Sequence, residues 1–437
     1  MNGTFARRVG IGAAAATVAA LALTSCSGAT GTTGADAPEL SDEPVTISIT
    51  WWGGDARAEQ TQQVLDAFEE EHPNITVEPQ YTDWTGYWDQ LATATAGGDS
   101  PDVIQMDELY LASYGARGAL ADLAALDIDT SDFDEEALAT GQLQEAQYAL
   151  PIGIGVFSVV ANADLFAQYG VELPDDETWT WDDYADVAKE LSDKSGGAIF
   201  GTGAIGGLDA GSLKYWARSG ENEVFDEDNE VTLDPQVLAD MWDYQLDLIA
   251  DGASQGGEAI FEGQAAGISG GPVATGKVAL GIAYNTQVTA LQAASGADFR
   301  LLKLPEPEGV DPNSYKPSMY WSVSGKSEHP AEAALLVEYL LNSDAAAEII
   351  KTERGIPANN AVRELITPDL SPTDQLAVEY QDRVVPGAAP VVTPNGASGI
   401  EAILQRYTQE VLSGQSEPLD AAESFVAELQ SEIDAAN

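Results

Sequence analysis

The sequence predicts an α/β protein built on a mostly parallel sheet. Two observations carry that expectation. Short β-branched or apolar runs alternate with helical stretches at crossover spacing, and a chain of 437 residues with 44% hydrophobic content has ample material for more than one core. Val45 to Thr50 (VTISIT) alternates β-branched and polar residues, a strand signal. The Gly53-Gly54 turn then leads into a helix from about Arg57, with Val64, Leu65 and Phe68 on one face, ending before Pro73. Ile75 to Glu78 reads as a second strand, Tyr87 to Ala96 as a helix, and Asp102 to Met106 as a third, buried strand. Ligands of such sheets sit at the carboxyl ends of the strands.

A second block follows Leu150-Pro151. Gly153 to Val160 is an apolar, glycine-containing run that reads as a crossing strand. Thr180 caps a helix from Trp181, with Asp183 completing a capping box. Pro235 opens a helix through Ile249 and Pro330 one through Leu341; the tail holds helical stretches at Ser398 to Leu412 and Leu419 to Ile433.

The charge balance excludes partners. With 18 basic against 72 acidic residues and a formal charge of −54, the chain lacks the clustered cations that nucleic acid requires. A single Cys removes any disulfide framework or multi-thiolate metal site. That Cys has a specific setting. Arg7-Arg8 precede an apolar run from Val9 to Leu23, too short for a comfortable membrane span, which ends in Leu23-Thr24-Ser25-Cys26. This resembles a bacterial lipobox, so residues 1–25 are expected to be a signal peptide and Cys26 the lipidated first residue. Residues 26–44 read as a flexible tether, small, polar and punctuated by Pro and Gly.

Several catalytic patterns are mimicked without their partners. Gly267-Ile268-Ser269-Gly270-Gly271 matches a nucleophile elbow, but the two His residues, His72 and His329, each directly precede a Pro at a helix boundary. Gly271 to Lys277 has phosphate-loop spacing, yet Val278 stands where a magnesium-holding hydroxyl belongs. Asp226 to Glu230 lacks the central Gly of a calcium loop and reads as a solvated turn. Paired carboxylates for glycoside hydrolysis remain available among 72 acids, which keeps a glycosidase as an alternative.

The placement of aromatics says more. Trp51-Trp52 end the first strand, Trp84, Tyr87 and Trp88 follow the second, and Tyr110 follows the third; Tyr284, Tyr320 and Trp321 adjoin later extended segments. A sugar ring offers a C–H face to an aromatic, while its hydroxyls need fixed donors and acceptors. Asp55, Arg57, Gln105 and Asp107 lie in the same strand-end loops. Core or hinge packing is the competing reading for each aromatic taken alone.

The stretches WWGGDAR (51–57), FEEEHPNI (68–75), Trp84 with Tyr87-Trp88, GGDSPDVIQMD (97–107), GKVAL (276–280) ahead of Tyr284-Asn285, WSVS (321–324) and RGIP (354–357) occur in order. In that order they resemble the family 1 extracellular solute-binding proteins, the carbohydrate-binding components of ABC importers. The resemblance implies an α/β, two-lobed periplasmic-binding-protein-like fold with crossing hinge strands and an interlobe ligand cleft. Crossings are expected near Pro151–Phe157, near Met319–Ser324 and around Leu370–Val384. Lobe one would hold 45–155 plus 322–375, and lobe two 156–321 plus 376–437. Trp52, Asp55, Arg57, Trp84 and Asp107 would line the first lobe's side, Trp216 and Tyr284 the second's, with Trp321 and Arg354 near the hinge. Asp209 is a further candidate acceptor. Relatives often carry Trp where this chain has Tyr284.

The implied function is capture of a neutral mono- or oligosaccharide and its delivery to ABC permease subunits. The protein would act as a monomer on the outer face of a Gram-positive cytoplasmic membrane, touching it only through the lipid. No catalysis, cofactor or metal is implied. A polyol or polyamine on the same fold is the other alternative.

Overall fold

The computed structural model describes residues 38–306 and 312–436. The expected signal peptide, Cys26 and the tether as far as residue 37 lie outside the described residues. The first sheet is built from β1 (Val45–Trp52), β2 (Ile75–Thr82), β3 (Val103–Met106), and, after a small hairpin of β4 (Gln142–Leu143) and β5 (Ala146–Gln147), from β6 (Leu150–Gly155), with β11 (Lys316–Val323) and β12 (Ile356–Pro357) added later. Its order is β12-β6-β11-β3-β1-β2, with β1 parallel to both β2 and β3 and with β11 antiparallel to β3 and β6. The second sheet comprises β7 (Phe157–Asn162), β8 (Phe200–Thr202), β9 (Val278–Tyr284) and β10 (Phe299–Leu302), in the order β10-β7-β9-β8.

Local chemistry accounts for most boundaries. The helix Asp55–Glu71 buries Thr61, Val64, Leu65 and Phe68, one stripe at helical spacing. The strand expected over Ile75 to Glu78 continues through Pro79 to Thr82, because β2 is an edge strand where a missing N–H costs nothing. The next helix spans Trp84–Gly97 and so begins before Tyr87, since Asp83 caps it by accepting the Gly86 N–H at 3.1 Å. Thr180 and Asp183 form the expected capping box ahead of Trp181–Ser195. Asp226 accepts the N–H groups of Asp228 and Glu230, which closes the acidic turn on itself.

The apolar run from Gly153 to Val160 proves to be two strands. β6 belongs to the first sheet and β7 to the second, and the chain crosses at Val156. The second crossing corrects the sequence boundary. β11 pairs with β3 and β6 along its length, from Lys316 opposite Gly155 to Val323 opposite Val103. Residues 316–321, assigned to lobe two from the sequence, therefore belong to the first sheet, and the chain returns before Lys316. The helix Pro372–Arg383, where the third crossing is expected, packs on β10 and on the helix Val288–Ser295, and its Val378 and Tyr380 join a core that holds residues of both sheets, Ile47 and Phe299 among them.

The connections are tied together. The Asn285 side chain accepts the Val156 N–H at 2.9 Å and donates to the Ala377 carbonyl at 2.9 Å. Asn313 brackets Phe157, accepting its N–H at 3.2 Å and donating to its carbonyl at 3.0 Å, and the Tyr380 hydroxyl donates to that carbonyl at 2.8 Å. Around this clasp β7 divides its side chains between two cores. Val160 faces the core that contains Ile47, Phe68 and Leu336, while Val159 and Ala161 face the core of Trp242, Leu404 and Phe425.

Candidate ligand-binding cleft

Parallel neighbours bring their carboxyl ends together, and that geometry assembles the first lobe's side. Trp52 is the last residue of β1, Trp84 lies two residues beyond β2, and Asp107 directly follows β3. The Trp52 ring meets Trp84 edge-on at 5.0 Å and Tyr87 at 5.4 Å, and Trp88 stacks on Tyr110 at 3.8 Å. Tyr87 and Trp88 are buried beneath, and the Tyr87 hydroxyl donates to the Gln105 carbonyl at 2.6 Å. Trp84 is left 40% exposed, an aromatic face held rigid by its neighbours. Asp107 accepts the Leu109 N–H at 3.0 Å, capping the helix Glu108–Gly115. Burial pushes its carboxyl above the usual range, against the pull of Lys316, and its charge acts on Tyr110.

On the second lobe, Tyr284 ends β9 and stacks on Phe157 at 4.1 Å. Its hydroxyl occupies space that only a glycine leaves, since a Cβ on Gly211 would stand 1.9 Å from it. Asp209 caps the helix Ala210–Ser219 by accepting the Ser212 N–H at 2.8 Å, and desolvation raises its pKa. Glu401 accepts the Ala210 N–H at 3.2 Å and is likewise raised, by burial and then by Asp209. A cavity of about 370 Å³ opens here, walled by Leu208, Ile260, Ile268, Val273 and Ile282 and by the polar groups of Asp209, Ser212, Gln255, Gln264, Tyr284 and Gln287. The Gly267–Gly270 segment is one helical turn in that wall. Such a lining, mostly apolar with a few convergent polar groups, is that of a small-molecule site.

Between the lobes, Glu108 is reached by Lys214 at 3.7 Å and Lys316 at 3.5 Å. The two lysines outweigh the burial that would raise its carboxyl and hold it below the usual range. Glu108, Lys214, Lys316 and Glu401 were not singled out from the sequence. Only Glu108 left a signal, as a second acid in the strand-end loop of Asp107.

The structure brings Trp52, Trp84 and Asp107 together on one lobe, and Tyr284 and Asp209 on the other. The remaining candidates are exposed, engaged by other groups of the protein, or buried. Asp55 is exposed, with the Tyr81 hydroxyl at 3.4 Å. Arg57 is engaged with Glu353 at 2.8 Å and with the Trp52 carbonyl at 3.0 Å. Trp216 stacks on Trp181 at 4.7 Å and donates to the Ile205 carbonyl at 3.0 Å, within a separate aromatic cluster. Trp321 is fully enclosed in the first lobe's core, and Arg354 lies over its ring at 5.2 Å and donates to Thr61 at 2.7 Å. Burial lowers the Arg354 guanidinium to about 9. Neither side chain has a surface to offer a ligand, which corrects their placement in the site.

Two α/β lobes, tied by crossing segments, with a cavity at the carboxyl ends of the second lobe's parallel strands β8 and β9, define a two-lobed binding protein. The family model for bacterial extracellular solute-binding proteins matches residues 54–347, and the chain belongs to that family. Among curated relatives, an uncharacterized lipoprotein of Streptomyces antibioticus is 27% identical over 334 residues, 69% of this chain and 67% of the relative. Among solved structures, a periplasmic oligogalacturonide-binding protein of Yersinia enterocolitica aligns with a TM-score of 0.76 at 22% identity, covering 90% of this chain and 99% of that one. The acarbose-binding GacH receptor of Streptomyces glaucescens aligns at 0.70 and 20% identity, covering 91% and 100%. Among the described residues no helix is long and apolar enough to cross a membrane.

Proposed function

We propose that the protein captures a neutral mono- or oligosaccharide between its lobes and hands it to the permease of an ABC importer. It does so as a monomer held to the outer face of the cytoplasmic membrane by a lipid on Cys26. The observation that carries the sugar reading is the exposed Trp84 face, braced by Trp52, Trp88 and Tyr110 beside Asp107. Trp84 and Tyr284 stack on ring C–H faces, and Asp107 and Asp209 accept hydroxyls. Neutrality is supported by the charges present: Lys214 and Lys316 share Glu108, and the Asp107 carboxylate also acts on Lys316, so the cations there already face carboxylates. The similarity to an oligogalacturonide-binding protein, to an acarbose receptor and to a lipoprotein supports the carbohydrate and lipid parts of this reading.

The excess of carboxylates, Asp107, Glu108, Asp209 and Glu401 against two lysines, favours one second reading, a ligand bearing a protonated amine. A single calorimetric and thermal-shift panel separates the two. Saccharides, polyols, putrescine and spermidine are each titrated into the mature chain. The sugar reading expects a saccharide to bind and, at about 100 times its Kd, to add roughly 2.7 kcal/mol of stability. Trp84→Ala should then weaken binding by about 1–3 kcal/mol with the fold retained. Preference for a polyamine over every sugar, or release of hydrolysed sugar, would overturn it.

A further inference from the structure

Glu108 connects parts of the molecule that a hinge rotation moves apart. It stands in the first turn of the helix Glu108–Gly115 on lobe one, and its two carboxylate oxygens take different cations. Oε2 faces Lys316 at 3.5 Å, on lobe one's own strand β11, and Oε1 faces Lys214 at 3.7 Å, on the lobe-two helix Ala210–Ser219. The Glu108 and Lys214 side chains are only 13% and 8% exposed, so little water screens them. The Lys214 ammonium also donates to the Thr393 hydroxyl at 3.4 Å. Apolar side chains seal the same seam. Leu109 of lobe one packs against the lobe-two core, and Val392, next to Thr393, packs against the Tyr87–Trp88 cluster of lobe one.

Resting on the reading of the molecule as a capture protein, we infer that Glu108 is a positioning residue whose ion pair with Lys214 ties the two lobes across the cleft. Lys316 moves with Glu108 and keeps its carboxylate ionised and aimed whether or not lobe two is near. Lys214 arrives only when the lobes meet. In the separated state both charges are hydrated and their attraction decays over a Debye length, about 10 Å at 0.1 M salt. The pair therefore favours the closed arrangement specifically. Ligand that needs both lobes binds with an apparent Kd divided by the closed fraction, so this contact sets affinity without touching the ligand. The distinctive consequence is that binding of an uncharged sugar weakens as salt is added.

The test uses the full mature chain and variants Glu108→Gln, Lys214→Met, their double, and Glu108→Asp. Small-angle X-ray scattering without ligand reports the radius of gyration at low and high salt. The expected result is expansion of wild type with salt, an expanded and salt-insensitive form in both single variants, no further change in the double, and partial recovery in Glu108→Asp. Where a sugar has been found, its Kd should rise roughly tenfold in Glu108→Gln and lose its salt dependence. Wild-type dimensions and salt response in both single variants, with unchanged melting, would overturn the inference, as would additive effects in the double. Scattering needs no ligand, so a sugar panel that finds nothing leaves this test intact and fails the capture reading alone.

Discussion

Asp209 carries two demands that oppose each other. As a helix cap it satisfies the Ser212 N–H, and as a cleft carboxylate it is desolvated, which raises its pKa. A carboxyl that folds into a place raising its pKa costs stability while ionised, and the cost disappears as pH falls through the raised value and the group protonates. Asp209→Asn retains the cap, because Asn and Asp cap comparably. It should therefore melt higher than wild type at neutral pH, with the advantage shrinking on acidification, while under the proposed function sugar binding weakens. Thermal melts across the acid range check this. The same scale shows why some candidates were legible and others were not. Trp51 and Trp52 are neighbours on a strand and must face opposite ways; Trp51 goes into the core and Trp52 against Trp84. On β11 nearly every residue is buried, so alternation carries no information and Trp321 reads like a site aromatic although it is core. Arg354 is hidden from sequence reasoning because its partner, the Trp321 ring, is supplied by a strand more than thirty residues away.

At the scale of elements, caps and prolines announced the helices. Thr180, Pro235 and Pro330 stand where their chemistry places them. The crossings were less visible, since a crossing is defined by which sheet a strand joins rather than by its own composition. β6 and β7 form one apolar run in sequence and part company at Val156 only because Asn285 and Asn313 supply the hydrogen bonds that the break leaves open. Asn285→Ala would strand the buried Val156 N–H and remove the second donor to the Ala377 carbonyl. The expected loss is about 1–3 kcal/mol of folding stability, measured by urea denaturation with unchanged slope. Binding should soften with it, because the clasp holds the pivot on which both lobes are aimed.

For the whole molecule, the formal charge of −54 describes the chain as strongly acidic, yet it gave no hint of where the few cations go. Two of them meet one glutamate at the seam, an arrangement that depends on tertiary structure alone. The strand β7, shared between two cores through Val160 on one side and Val159 and Ala161 on the other, bears on how the molecule comes apart. Lobes joined by slack linkers melt as separate domains. Here neither core can lose its packing without stripping one face from a strand the other needs, so disorder in one lobe propagates into its neighbour. Differential scanning calorimetry should give a single endotherm whose van't Hoff and calorimetric enthalpies agree; two resolved peaks would mean that each lobe stands alone. Under the proposed capture function, swinging apart and unfolding are then distinct events, and a protein that opens readily need not be one that denatures by halves.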